Sequence, residues 1–374
     1  MNHFEYHKEL SRKTNLFENM KAFSDLIQEN VFNYLPITFC ITISPDSTSA
    51  NLHAELKDFL AFYNALEANK DKVSPIYAGI DKSVHKPFKG FTNVPIIYEK
   101  REATYTRYRM PLTHFIGHNM WLLKPTNLNR GRDIHIFQSL AELKRLLLEY
   151  NKQKSYSFVL QKYIEAPLLI HDRKFDIRVW VLVTHEMNCY LFKEGYIRTS
   201  SSKFILDENN MGNKFVHLTN NAIQIKAENY GEYEDGNQMS FSKFQSYLDK
   251  YYPYKKVKVD RDILAQIKNV VRKSMLAVKR KLNSNNRKYS FEIFGYDFLV
   301  DADFNTWLIE VNTNPCLEES SEMLKSLLNR MIDNAFKLTV DVLFPPMPQY
   351  MSFPKKVYPV EGYTDDSNLW YFLP

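Results

Sequence analysis

Apolar residues return every three to four positions in several stretches of the chain, the spacing of a helix with one buried face. Such patterns cover residues 15–28, 52–69, 140–150, 261–282 and 321–343. In the fourth of these the stripe is Ile263, Ile267, Val270, Val271, Met275, Val278 and Leu282, and Arg261, Lys268, Arg272 and Lys279 fall on the opposite side. Between the helices the texture changes to short apolar runs at 121–124, 158–164, 175–184, 189–193, 295–301 and 306–312, which read as strands. Several are joined by connections too short for a crossover helix, which predicts an α+β fold with antiparallel pairing. A loop rich in Lys, Pro and Gly is expected at 73–94, and beyond 345 no period persists, so the tail should run extended over the surface.

Composition narrows the class. At 44% hydrophobic and 25% charged, the 374 residues are those of a chain that folds around a core rather than a disordered one. The longest apolar run, 175–184, is interrupted by Asp176 and Arg178 and falls short of the roughly 20 apolar residues of a membrane span, so no membrane association is expected. The opening MNHFEYHKELSRK has no apolar signal core and carries acids, which favours a cytoplasmic location. Cys40, Cys189 and Cys316 are far apart and lack metal-ligand spacing, and they read as reduced thiols.

Charge matters once it is located. Residues 250–288 hold thirteen Lys or Arg against Asp260 and Asp262, a local charge of +11 that leaves the rest of the chain at −5 within the total of +6. This segment is either a solvated helix face or a docking surface for a polyanion. No helix-turn-helix, zinc or RNP signature accompanies it, so nucleic acid is not expected and an acidic protein is a good candidate.

The candidate chemistry begins with FEIFGYDFLVDADFNTWLIEVNTNP, 291–315, which reads as a hairpin. Asp297 and Glu310 can then face one side, and Asn312, two residues beyond Glu310, joins them by strand alternation. Two carboxylates and an amide oxygen suit Mg²⁺ when phosphate oxygens and water complete its octahedron. In WLLKPTNLNRGRD, Lys124 ends a strand, and Arg130 and Gly131 offer charge and backbone donors for phosphate. Asp133 adds an anion to that loop. A third stretch, 158–183, carries Lys174, Asp176 and Arg178 on one face of a strand and Phe175, Ile177 and Val179 on the other. VHLTNNAIQ supplies Thr219 and Asn220, and Arg198, expected in a GYIRTSSS turn, adds a cation.

R-K-F-D-I-R, H-L-T-N and the paired F-G-Y-D-F and W-L-I-E-V-N strands, in this order and spacing, resemble the tubulin tyrosine ligase-like family of ATP-grasp ligases from about residue 13 to 343. The resemblance implies an α+β ATP-grasp fold holding ATP between two lobes: 1–165 as the central ATP-binding lobe, its N-terminal subdomain short or absent, and 166–345 as the C-terminal lobe, with 346–374 as a tail. It implies that Asp297, Glu310 and Asn312 bind Mg²⁺ and that Lys124, Arg130 and Gly131, with Lys13, hold ATP phosphates. Gln161, Lys162, Tyr163 and Ile164 would form the hinge against adenine, and Lys174, Phe175, Asp176, Thr219 and Asn220 would complete the nucleotide site. Arg198 would face the incoming amino acid and Arg178 the reacting phosphate. The implied activity is amide formation between an amino acid and a protein carboxylate activated by ATP as an acylphosphate. Family members often modify the acidic tails of tubulin, so the implied partners are microtubules, met by 250–288, and a free amino acid, with the cytoskeleton as the implied setting and the cilium or basal body as a more specific place within it. Glycine, glutamate and tyrosine all remain open as the added residue. An inactive microtubule-binding relative and an ATP-grasp ligase with another substrate are the alternatives.

Overall fold

The computed structural model describes residues 3–44, 49–71, 98–101, 104–107, 110–127, 131–150, 156–207, 210–347 and 357–374. The expected loop at 73–94 lies outside them, and so does Arg130. The longer described helices are α1 (Lys13–Leu26), α2 (Ser49–Glu67), α3 (Leu140–Tyr150), α4 (Phe241–Tyr251), α5 (Leu264–Leu282) and α6 (Glu322–Leu343).

Two antiparallel sheets organise the chain. The first contains β1 (Thr38–Ile43), β4 (Trp121–Pro125), β5 (His135–Phe137) and β6 (Tyr156–Lys162) in the order β1-β6-β4-β5. Its inner aromatic residues hold α2 in place: Phe59 meets Trp121 edge-on at 4.9 Å between centroids, and Phe62 meets it at 6.0 Å. A separate two-stranded ribbon pairs β2 (Tyr98–Arg101) with β3 (Thr104–Arg107).

The second sheet runs β10 (Gln238–Ser240), β9 (Cys189–Lys203), β8 (Arg173–Thr184), β11 (Phe291–Val300) and β12 (Thr306–Asn312), with β7 (Leu169–Ile170) on β8 and β13 (Trp370–Leu373) on β9. Strand alternation divides its two faces. Ile177, Val179, Val181 and Val183 point to the core that buries the apolar stripe of α5, whereas Trp180 and Leu182 point to α6 through Leu324, Leu327, Leu328 and Met331. The basic helix therefore lies on the face of the sheet opposite α6, with its cations directed away from the core.

Three expectations change. β9 continues through Gly195 to Lys203, so Arg198 sits within a strand rather than in a turn. A Cβ at Gly195 would stand 2.4 Å from the Arg178 carbonyl oxygen, so only glycine lets β9 pass this close to β8. The tail adds a strand and a buried anchor instead of merely crossing the surface: Leu369 and Trp370 are buried in the α6 cluster, and the buried Arg330 donates to the carbonyls of Tyr358 (2.9 Å), Thr364 (2.7 Å) and Ser367 (2.8 Å). The positive segment is also partly neutralised from the other end of the chain. Lys273 pairs with Glu29, Lys281 with Glu9 at 3.3 Å, and Arg287 with Glu5, while Lys258 pairs with Asp249 at 2.9 Å. No described helix is long and apolar enough to cross a membrane.

Candidate functional site

A cleft between the two sheets gathers most of the expected residues. It is lined by Lys124, Gln161–Ile164, Lys174, Asp176, Thr219, Asn220, Asp297 and Glu310, with Leu122, Ile134, Leu299 and Ile309 as its apolar wall. The hairpin explains the carboxylate end. Asp297 and Glu310 are direct cross-strand partners, Gly295 faces Asn312, and the register shifts after Asp297 so that β12 bulges at Ile309. Such bulges re-aim side chains beside functional sites. Asn312 Nδ2 stands 3.1 Å from Glu310 Oε1 and 3.4 Å from Asp297 Oδ2, which brings the three expected ligands together. Lys13, the first residue of α1, reaches within 3.8 Å of Glu310 Oε2.

The cationic end rests on two buried lysines. Lys124 Nζ donates to Gln161 Oε1 at 2.7 Å, and Gln161 Nε2 in turn donates to Thr38 Oγ1 at 3.1 Å. Burial lowers the Lys124 pKa to about 8, opposed by Glu310 and reinforced by Lys13. Lys174 is pushed down to about 7 by burial and by Lys124, against the attraction of Asp176. Two such lysines, whose burial outweighs the pull of Glu310 and Asp176, form a site prepared for a negative ligand.

Between the ends sits a closed set of four charges. Arg198 grips Asp176 with both forks, at 2.6 and 2.7 Å, and reaches Asp297 Oδ2 at 2.9 Å. Arg178 also grips Asp297, through Nε and, at 2.9 Å, through Nη2. Thr219 Oγ1 donates to Asp176 Oδ2 at 2.6 Å. Burial alone would raise the Asp297 pKa, but Arg178 and Arg198 outweigh it and hold the carboxyl well below its usual range.

Several expected residues play a different part. Phe175 points away from the cleft and packs against Phe244 of α4, as its place between Lys174 and Asp176 on a strand requires. The Lys162 ammonium is turned inward to Glu165 at 2.6 Å and to the Met120 carbonyl at 2.8 Å, so only the backbone of this residue meets the cleft. Glu165 is the residue that sequence reasoning missed here: it also accepts the N–H groups of Ile116, His118 and Met120 at 2.8, 3.1 and 2.8 Å. Its spacing of three from Lys162 was the available signal. Gly131 has φ of 71° and packs so tightly that a Cβ would lie 2.5 Å from Ile223 and 3.1 Å from the Asn220 side chain. Asp133 adopts φ of 53°, a left-handed conformation that Asp tolerates better than most residues. It is exposed, does not line the cleft, and its charge acts on His135 and Tyr150 instead.

The donor set fits a hard divalent cation in part. Among the described residues no three His, Cys, Asp or Glu side chains cluster closely enough to hold a metal ion. Two carboxylates and an amide do converge, and that set leaves most of an octahedron to be filled by phosphate and water oxygens.

Two antiparallel sheets that clasp buried lysines against a carboxylate hairpin define an ATP-grasp type of protein. The sequence profile of the tubulin-tyrosine ligase family matches residues 1–349, and the chain belongs to that family. The match begins ahead of the resemblance read from the sequence, which starts near residue 13. Tubulin glycylase 3D of Tetrahymena thermophila is 38% identical over 228 residues, 60% of this chain and 21% of that protein. The mouse protein monoglycylase TTLL8 is 34% identical over 249 residues, 62% of this chain and 28% of the relative. A probable alpha-tubulin polyglutamylase, Ttll1 of Tetrahymena thermophila, is 30% identical over 230 residues, 59% of this chain and 54% of the relative. The chain thus spans about a fifth of the first of these relatives.

Proposed function

We propose that this protein is an ATP-dependent ligase that joins an amino acid to a carboxylate of tubulin. The observation that carries the reading is the cleft itself, with Lys124 and Lys174 buried at one end and Asp297, Glu310 and Asn312 converging at the other. Lys124, Lys174, Lys13, Arg130 and Gly131 hold the phosphates, and the backbone from Gln161 to Ile164 meets the base. Asp297, Glu310 and Asn312 hold Mg²⁺, which neutralises charge on the phosphate oxygens when bound. Arg178 stabilises the transferring phosphoryl group, and Arg198 binds the carboxylate of the incoming amino acid. The nucleotide thus lies between a lobe at 1–165 and one at 166–345.

Tubulin as partner is supported by the names of the relatives, and those names favour glycine over glutamate, since the two more similar relatives described above are glycylases. The exposed Arg272, Lys279 and Arg280 offer acidic tails a secondary contact, in keeping with a place on the cytoskeleton. Phosphate release from ATP tests the reading. Release that requires both microtubules and an added amino acid supports it; release indifferent to both, or none at all, counts against it.

A further inference from the structure

His217 is buried, and the function proposed above gives it no task. Both of its ring nitrogens are nevertheless engaged. Nε2 lies 2.9 Å from the carbonyl oxygen of Asn210, and Nδ1 lies 2.8 Å from the hydroxyl of Tyr163. A carbonyl can only accept, so Nε2 carries the proton and Nδ1 presents its lone pair, to which the Tyr163 O–H donates. With its proton committed in that direction, Tyr163 Oη faces Lys174 as an acceptor, and Lys174 Nζ donates to it at 3.1 Å. The same ammonium donates to the His217 carbonyl at 2.9 Å and lies 4.4 Å from the centre of the Tyr163 ring. Two of its three N–H groups are thereby fixed, which leaves one for a ligand in the cleft that Lys174 lines.

We infer that His217 is a positioning residue for the nucleotide: through the Tyr163 hydroxyl and its own carbonyl it fixes the Lys174 ammonium where a phosphate oxygen is held. This rests on the nucleotide reading of the cleft. The chain of contacts joins four segments: the end of β6, strand β8, the loop at Asn210 and the His217-Leu218-Thr219-Asn220 run. An imidazole that merely filled space would act on stability and would be indifferent to the hydroxyl of Tyr163.

Calorimetric titration of Mg·ATP into wild type, His217→Phe, His217→Gln, Tyr163→Phe and the His217→Phe/Tyr163→Phe double variant tests this, with melting temperature recorded for each. His217→Phe and Tyr163→Phe should each weaken ATP binding about tenfold. His217→Gln, whose amide can donate to Asn210 and accept from Tyr163, should stay within about threefold of wild type. The double variant should bind no worse than the poorer single one, because both act through one hydroxyl. Wild-type affinity in Tyr163→Phe, which loses a single oxygen and is expected to fold, overturns the inference, and so does full additivity in the double variant. Absence of ATP binding by wild type overturns the nucleotide reading and this inference together.

Discussion

Asp297 and Glu310 are cross-strand partners proposed to bind the same cation, yet their neutral amide variants should behave differently. Asp297 is 2% exposed and shares its oxygens between Arg178 and Arg198. Asp297→Asn removes the only counter-charge of Arg178 described in the site and leaves two guanidinium groups with Asp176 alone. Removing one partner of a buried pair costs about 3–5 kcal/mol, because an uncompensated charge stays behind. Glu310 has one long ion pair, 3.8 Å to Lys13, and a hydrogen bond from Asn312 at 3.1 Å that a Gln carbonyl can still accept, and its carboxylate keeps access to solvent, so Glu310→Gln should cost about 1 kcal/mol or less. Both substitutions should abolish ligase turnover, but only Asp297→Asn should lower the melting temperature by several degrees. The assay is therefore paired: thermal unfolding without nucleotide, then turnover at a temperature where both variants are folded. Equal melting temperatures would contradict the buried-charge argument, and a folded Glu310→Gln with wild-type turnover would remove Glu310 from the metal site.

The depressed lysines make nucleotide binding take up protons. With Lys174 near 7 and Lys124 near 8, both lose protons in the empty cleft at pH 8 and regain them beside phosphate, so calorimetry in buffers of different ionisation enthalpy should show uptake of about one proton and weaker binding as pH rises from 7 to 9; no uptake would refute the shifts. For stability the sign is opposite to that of a salt-bridged lysine: the unfolded chain holds the Lys174 proton up to about pH 10.4, so this group makes the ligand-free protein more stable as pH rises from about 7 towards 10, visible as a difference between wild type and Lys174→Met. Reversing Arg272 and Lys279 to Glu should weaken microtubule cosedimentation and flatten its salt dependence while sparing ATP binding, and unchanged cosedimentation would make α5 a solvated face. Asp133→Gly should change ATP affinity by less than about twofold, since the carboxylate faces His135 and Tyr150; a tenfold gain, about 1.4 kcal/mol, would place it beside the triphosphate.

The carboxylate hairpin was legible because strand alternation is strict: once 291–312 is read as two strands, Asp297, Glu310 and Asn312 share a face, and the register confirms that pairing. The same rule overturns the place that the resemblance gave Phe175, which stands between two residues of the cleft and packs on Phe244 instead. Arg198 was misplaced because glycine followed by a run of serines looks like a turn, whereas Thr199 and the neighbouring Arg173 meet Glu234, and that buried network keeps the polar stretch within β9. The charge of 250–288 was legible as a sum but not as a surface. Its partners Glu5, Glu9 and Glu29 lie more than two hundred residues away, and no local pattern announces them. His217 was visible only as part of a motif, since its role depends on Tyr163 and Lys174 arriving from two other segments.

The central claim is amide ligation to tubulin driven by ATP. Purified microtubules incubated with the protein and radiolabelled glycine, glutamate or tyrosine, with and without ATP, test it most directly. The account predicts ATP-dependent label in tubulin from one of the three, with glycine the first expectation, and its loss in Glu310→Gln. A folded protein that binds Mg·ATP yet incorporates none of them would contradict it.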